Sequence, residues 1–234
     1  FTNVLHTNAE KFKQKWDISP HYYLHPRLEL VQQIHEAHTT PLNILDVGCG
    51  CGALSAALRG VYPNAAAYGV EIVPSAANIA KHLSNTICGD IETIEFPWPE
   101  NFFDYIIIGD VLEHLHNPAI VLQKLYKHVK AGGHIIVSVH NMKHHSVMLP
   151  LIIDDEFSYS DAGILDSTHL KMYTKTEILK LIASCNYEIE NCIFTSFGEP
   201  SPSTMKFLNL LNNLSHSKDI NTYLAYQYIV KAKK

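Results

Sequence analysis

A short apolar segment followed by alternating glycines constrains the fold of this chain more than any other feature. Residues 44–47 (Ile-Leu-Asp-Val) suit a parallel strand that is buried on both faces. Gly48, Gly50 and Gly52 then remove side chains where a ligand approaches the backbone. The segment therefore predicts a strand, a tight turn and the first turns of a helix around a nucleotide-type pocket.

The charge beside the glycines distinguishes between possible ligands. Gly48, Gly50 and Ala53 also satisfy the loose dinucleotide pattern, which is weak when it stands alone. Asp46 would repel a pyrophosphate, whereas it suits a ligand with an ammonium group and a sulfonium centre, as in S-adenosylmethionine (SAM). Glu71 closes the next apolar segment and is placed to accept hydrogen bonds from ribose hydroxyls, which NAD and SAM both carry.

Two further segments end in acidic residues. Gly89-Asp90-Ile91 follows a short apolar stretch, and residues 103–114 read as a strand that leads into Glu-His. Over roughly residues 40–195 the chain resembles the class I SAM-dependent methyltransferases, particularly the broad bacterial group with a Glu-His-Leu element after the fourth strand. Asp104 lies at the start of its strand, so we expect it to be structural.

The resemblance implies a seven-stranded, mostly parallel sheet with an antiparallel last strand and the cofactor at the carboxyl ends of the strands. By the same resemblance, the glycine turn would line the methionine end, Glu71 would hold the ribose, and Gly109 and Asp110 would border the methyl-transfer centre. Residues after the third strand would flank the adenine. The expected cofactor-binding set is Asp46, Gly48, Cys49, Gly50, Glu71, Ile72, Asp90, Ile91, Gly109, Asp110 and Val111.

Alternation of strand and helix patterns along the chain predicts a doubly wound, Rossmann-like α/β fold in a single domain, residues 1–234. Ala131-Gly132-Gly133 is expected to end a helix before a strand at 134–139. Residues 1–39 read as an N-terminal helical cap, in which Tyr22 and Tyr23 are either lid residues or packing under a helix.

Two irregular stretches, 141–175 and 197–221, are expected on the substrate side of the sheet. Residues 163–169 (Gly-Ile-Leu-Asp-Ser-Thr-His) resemble a segment of bacterial methyltransferases that is associated with glycan biosynthesis. The second stretch would cover the site or dock a partner, either a second copy or a fused or separate enzyme.

Two histidines are candidates for removing the acceptor's proton. Methyl transfer is mainly a matter of alignment, but a hydroxyl acceptor needs a base. His114 and His169 follow predicted strand ends, and imidazole titrates near neutral pH. Structural hydrogen bonding is the alternative for both residues.

Composition excludes several classes of function. A formal charge of −5 provides no field for a polyanion, so nucleic acid is not the expected partner. Five scattered cysteines indicate a reducing, cytoplasmic compartment, and no apolar run is long enough to span a bilayer. Among fifteen histidines, His140, His144 and His145 cluster without further zinc-type ligands, so no metal site is expected. The missing initiator Met indicates a trimmed chain or part of a longer polypeptide.

The sequence therefore predicts a SAM-dependent methyltransferase acting on a small-molecule or glycan acceptor, on oxygen in the first place. The expected pathways are polysaccharide or natural-product biosynthesis. N- or C-methylation stays open because the cofactor motif does not specify the acceptor. The alternatives are an NAD-linked oxidoreductase or epimerase, disfavoured by Asp46, and a non-catalytic module with the SAM-binding fold.

Overall fold

The structure, a computed structural model, describes residues 23–234, and within this range seven strands form one sheet. They are β1 (Asn43–Val47), β2 (Ala66–Glu71), β3 (Asn85–Cys88), β4 (Phe103–Gly109), β5 (Val129–His140), β6 (Glu188–Ser196) and β7 (Ala225–Lys233). Their order is β3-β2-β1-β4-β5-β7-β6. Only β7, among these seven, runs antiparallel to its neighbours. The predicted doubly wound fold is confirmed.

Helices connect the strands and cover both faces of the sheet. They are α1 (Leu28–Val31), α2 (Ala53–Val61), α3 (Pro74–Ala80), α4 (Pro118–His128), α5 (His145–Ile153), α6 (Lys175–Ser184), α7 (Pro202–Leu214) and α8 (Asn221–Leu224), with a 3₁₀ turn at Leu112–His114. Helices α4 and α6 contribute to one apolar layer, and α1 and α2 contribute to the other. No helix in the described part of the chain is long and apolar enough to cross a bilayer.

Strand β4 shows why the central segments are apolar without alternation. Ile106 and Ile108 pack into the layer beside α4, while Tyr105 and Ile107 pack into the layer beside α2. Successive side chains of a strand point to opposite faces, so a strand covered on both sides needs apolar residues at every position. All four side chains are essentially inaccessible to solvent.

The arrangement around β1 determines where a ligand has room. β1 pairs with β2 on one side and with β4 on the other, so the chain changes direction across the sheet at this point. In open α/β sheets such a switch opens a crevice at the carboxyl ends of the strands. The loops after the first five strands all meet at that edge.

Strand β5 differs from the sequence prediction. It begins at Val129, directly after α4, whereas a helix stop at Ala131–Gly133 and a strand from 134 were expected. The amide of Lys234 donates to the carbonyl of Gly133 at 2.9 Å, so the end of the chain supplies a pairing partner. That tertiary pairing overrides the local helix-stop signal. Of the expected N-terminal helical cap, the described part contains α1, and Tyr22 lies outside the described residues.

Candidate active site

A cavity of about 990 Å³ opens at the carboxyl edge of the sheet. Every residue that the sequence assigned to the cofactor or to catalysis lines this cavity: Asp46, Gly48, Cys49, Gly50, Glu71, Ile72, Asp90, Ile91, Gly109, Asp110, Val111, His114 and His169. Tyr23, for which a lid role and packing under a helix were both left open, lines it as well. The structure thus places these side chains together, while their roles remain predictions.

The turn between β1 and α2 requires its glycines. Gly48, Gly50 and Gly52 have φ angles of 74°, 54° and 84°, which side-chain-bearing residues rarely adopt. A Cβ atom on Gly48 would also lie 2.6 Å from Cγ2 of Val111. The amide of Gly48 donates to the carbonyl of Val70 at 2.8 Å, which ties the turn to β2.

The carboxylate of Glu71 organises the same turn. Its Oε2 accepts the amide of Gly50 at 2.8 Å, and its Oε1 accepts the amide of Val73 at 2.8 Å. The side chain is almost fully buried at the end of β2. Each carboxylate oxygen has a second lone pair, so Glu71 can accept hydrogen bonds from a ligand while it holds the backbone.

Asp46 is a buried acid without a compensating hydrogen bond. Asp46 is 7% exposed, and its carboxylate accepts no hydrogen bond from any group within residues 23–234. Burial, and then the charge of Glu71, raise the pKa of Asp46 to about 8, although Arg27 opposes the shift. An uncompensated carboxyl group at the cavity wall favours a ligand that carries positive charge.

Asp110 belongs to a network that the sequence did not reveal. Its carboxylate pairs with the Arg27 guanidinium and accepts hydrogen bonds from Ser138 Oγ at 2.6 Å and Gln227 Nε2 at 2.9 Å. Burial acts to raise the pKa of Asp110, but Arg27 and then His140 lower it on balance. Arg27 lies in the predicted N-terminal cap, far in sequence from the strand ends that predicted the site, so no local pattern connected it to Asp110.

Hydrogen bonds define the tautomer of His114. Thr168 Oγ1 donates to Asp166 Oδ1 at 2.6 Å, so its oxygen is left to accept from His114 Nδ1 at 3.1 Å. The Thr168 carbonyl, which can only accept, lies 3.4 Å from the same nitrogen. Nδ1 therefore carries the proton, and Nε2 of His114 is left as a base.

His169 has the same tautomer for a different reason. Its Nδ1 lies 3.0 Å from the carbonyl oxygen of Ile164, so this nitrogen is the donor and Nε2 is the acceptor. The rings of His114 and His169 lie with their centroids 4.8 Å apart. Two imidazoles whose Nε2 atoms are left as acceptors thus lie next to each other in the cavity wall.

Glu113 and His140 form a second carboxylate–histidine contact that was missed. His140 Nδ1 lies 3.1 Å from Glu113 Oε1, and the His140 amide donates to the same oxygen at 2.9 Å. Burial acts to lower the pKa of His140, but the Glu113 hydrogen bond and Asp110 raise it on balance. The sequence grouped His140 with His144 and His145, but the rings of His144 and His145 instead contact each other in a tilted arrangement with centroids 4.2 Å apart.

The cavity wall is strongly acidic. Among the described residues that line it, Arg27 is the only lysine or arginine, and it is paired with Asp110 and Glu29. The carboxylate side chains in the lining are Glu29, Asp46, Glu71, Asp90, Glu92, Asp110 and Asp166. Such a surface repels anionic ligands and attracts cationic ones.

Comparison with known proteins identifies relatives. The chain is 27% identical over 167 residues to the ubiquinone biosynthesis O-methyltransferase of Rickettsia akari (strain Hartford), covering 70% of this chain and 65% of that protein. It is 24% identical over 188 residues to the malonyl-[acyl-carrier protein] O-methyltransferase of Bacillus cereus, covering 75% and 66%. The chain therefore spans about two thirds of the length of these relatives.

The fold also has a solved counterpart. A SAM-dependent methyltransferase from Archaeoglobus fulgidus superposes with a TM-score of 0.63 at 18% identity, covering 95% of this chain and 98% of that one. The sequence profile of the methyltransferase domain family matches residues 20–191. The chain therefore belongs to the methyltransferase domain family and has the class I SAM-dependent methyltransferase fold.

Proposed function

We propose that this methyltransferase transfers the methyl group of SAM to a hydroxyl oxygen of an uncharged small-molecule or glycan acceptor. The acidic lining of the cavity carries the proposal: it disfavours carboxylate and phosphate acceptors, and we assign its attraction for cations to the sulfonium and ammonium groups of SAM rather than to the acceptor. Two relatives named as O-methyltransferases support oxygen as the methylated atom.

The residues of the cavity fit the methyl donor. Asp46 offers an uncompensated carboxyl group to the cationic methionine end, and Glu71 retains lone pairs for two adjacent ribose hydroxyls. Asp90 and Ile91 line the part of the cavity after β3, where we place the adenine. SAM, when bound, supplies an electrophilic methyl group on a sulfonium, so the protein has little covalent chemistry to perform.

The chain itself contributes binding, alignment and proton removal. Arg27, Ser138 and Gln227 hold the Asp110 carboxylate at the end of β4, where it borders the acceptor space. His114 or His169 takes the acceptor's proton through Nε2, since Nδ1 of each ring is engaged. Residues 141–175, which carry His169 and Gly163, cover the acceptor side.

An acceptor panel tests the proposal. Phenols, neutral sugars, carboxylic acids and primary amines are offered with SAM, and formation of S-adenosylhomocysteine is measured for each. We expect turnover with neutral hydroxyl compounds. His114→Gln and His169→Gln are compared on the best acceptor, and loss of a general base should lower the rate about 10²-fold or more without changing cofactor affinity. Preferential methylation of amines or carboxylates would reject the proposal.

Mass spectrometry of the denatured protein separates the remaining alternatives. SAM or its demethylated product favours a methyltransferase, whereas a dinucleotide favours an oxidoreductase or epimerase. Cofactor binding without turnover on any acceptor favours a non-catalytic module. For the compartment we propose the cytoplasm, which is supported by five cysteines that are all free.

A further inference from the structure

Three side chains of the types that bind metals meet beside the cavity, and two of them, His140 and His169, line its wall. Glu113 lies in the turn after β4, His140 ends β5, and His169 lies in the 141–175 insertion. One potential ligand atom from each residue lies within 4.8 Å of the other two. Two imidazoles and one carboxylate from three separate loops are a ligand set that divalent transition metals use.

One carboxylate oxygen in this cluster is unsatisfied. The side chain of Glu113 is 1% exposed, and its Oε2 is buried without a hydrogen-bond partner in the described part of the chain. Its Oε1 already accepts both the amide and the ring nitrogen of His140. A buried carboxylate oxygen left unpaired is costly, and a cation next to it would remove that cost.

Both histidines have the outer contacts that metal ligands have. The Nδ1–H of His169 is held by the Ile164 carbonyl, which directs Nε2 toward the cluster. The Nδ1–H of His140 is held by Glu113 Oε1 at 3.1 Å, which leaves Nε2 of this ring as the ligand atom. His114 is not one of the three residues of the cluster, and it contacts His169 ring to ring instead.

We propose that Glu113, His140 and His169 bind one divalent transition-metal ion of the Zn²⁺, Fe²⁺ or Co²⁺ class. Imidazole ligands suit these ions, whereas Mg²⁺ prefers an all-oxygen shell. Ligand atoms around a tetrahedral ion lie about 3.3 Å apart, whereas these three atoms lie within 4.8 Å of one another. Each distance between two of them therefore has to shorten by about 1.5 Å at most when the ion binds. The proposal departs from the sequence, which predicted no metal site.

The ion gives the acceptor side a defined chemistry, and this part rests on the proposed function. A hydroxyl oxygen coordinated to the ion loses its proton more readily, and His114 Nε2 takes that proton. The oxygen then forms the O–CH3 bond as the S–CH3 bond breaks, which leaves a neutral thioether. His169 is thereby a ligand, and proton removal is assigned to His114.

Metal binding is tested on the full chain after treatment with a chelator. Zn²⁺ affinity is measured by calorimetry, and Co²⁺ is added separately to record its visible absorption in a protein site. We expect one tightly bound equivalent. His169→Gln and Glu113→Gln should each weaken binding by about 100-fold or more, because loss of an outer-shell contact alone costs about 10–100-fold. Circular dichroism verifies that each variant is folded.

His116→Gln is the matched control, since His116 is an exposed histidine in the wall of the same cavity. We expect its affinity for Zn²⁺ to equal that of the wild type. Equal affinity in wild type and His169→Gln, or failure of the wild type to bind either ion, would overturn the site. Tight Zn²⁺ binding with no turnover on any hydroxyl acceptor would support the site and reject the proposed function. Full methyl transfer by metal-free protein would overturn the role of the ion.

Discussion

At the scale of single residues, Asp46 shows how a buried acid in a cavity wall lowers stability. Its pKa is raised to about 8, mainly by burial, so the folded protein holds a proton that the unfolded chain releases near pH 4. The folded state binds more protons, and the free energy of unfolding therefore falls as the pH rises between these two values. A cationic ligand reverses the effect because it favours the ionised form.

Asp46→Asn is predicted to stabilise the cofactor-free protein and to weaken cofactor binding. At pH 8 the free energy of unfolding should rise by about 1–3 kcal/mol, since the buried carboxyl group no longer has to ionise. This increase in the free energy of unfolding should become smaller as the pH falls toward 4. Urea unfolding at several pH values measures the first effect, and calorimetry with SAM measures the second.

Asp104→Asn is the control for that substitution, because Asp104 lies at the opposite end of its strand. Its carboxylate accepts the amide of Asn43 at 2.7 Å and pairs with Lys130 at 2.7 Å. The variant should lose stability and retain cofactor affinity. If both variants change stability in the same direction, Asp46 is not the uncompensated acid that we describe.

Glu71→Gln is predicted to weaken SAM binding by about 1–3 kcal/mol. An amide oxygen can replace only one of the two carboxylate oxygens that accept the backbone amides of Gly50 and Val73. Calorimetry with SAM provides the measurement. Glu190→Gln, at an ion pair on β6, serves as the control and should bind normally. Unchanged affinity in Glu71→Gln would remove this residue from the cofactor site.

At the scale of elements, Gly48 and Gly50 in the turn between β1 and α2 fix its backbone conformation and also line the cavity. Gly50→Val should abolish cofactor binding and leave a folded protein, because a β-branched residue resists a φ of 54° and its Cβ would lie 3.2 Å from the Tyr23 carbonyl. Circular dichroism and SAM titration of the same sample provide the measurement. Native-like spectra together with wild-type affinity would show that this turn is not the pocket.

The 3₁₀ turn after β4 shows how one element carries two kinds of side chain. Glu113 and His114 are adjacent in sequence, but Glu113 points into the buried contact with His140, whereas His114 faces the cavity. The Glu-His-Leu element indicated a site without showing which of its two polar residues lies where. The backbone of Glu113 also accepts the amides of Leu170 and Lys171, which docks the insertion onto this turn.

At the scale of the whole molecule, a site built from five loops of one sheet couples ligand binding to global stability. A ligand at 100 times its dissociation constant adds about 2.7 kcal/mol to the free energy of unfolding. For a chain of this size that corresponds to a rise in melting temperature of about 5–10 °C. We therefore expect S-adenosylhomocysteine to shift one cooperative transition by this amount, measured by scanning calorimetry.

The same experiment has two internal controls. NAD should cause no shift, and Gly50→Val should not respond to S-adenosylhomocysteine. Two separate transitions, with only one of them shifted by the ligand, would contradict the single cooperative domain that the sequence predicts for residues 1–234.

The sequence by itself determined the sheet, its parallel centre and the position of the glycine turn. Those features depend on local patterns: apolar runs at Ile44–Val47 and Phe103–Gly109, and glycines where φ is positive. Acidic residues at strand ends were predictable for a similar reason, because parallel strands bring their carboxyl ends to one edge.

Only the tertiary structure decided which side chains meet across distant parts of the chain. Arg27 pairs with Asp110 across 83 positions, and the end of the chain lengthens β5 by pairing with Gly133. His140 contacts Glu113 rather than its sequence neighbours His144 and His145. The local periodicity of the sequence indicates which face of a strand or helix a residue occupies. Hydrogen bonds and ion pairs between distant residues depend instead on distances that are set only when separate loops pack together.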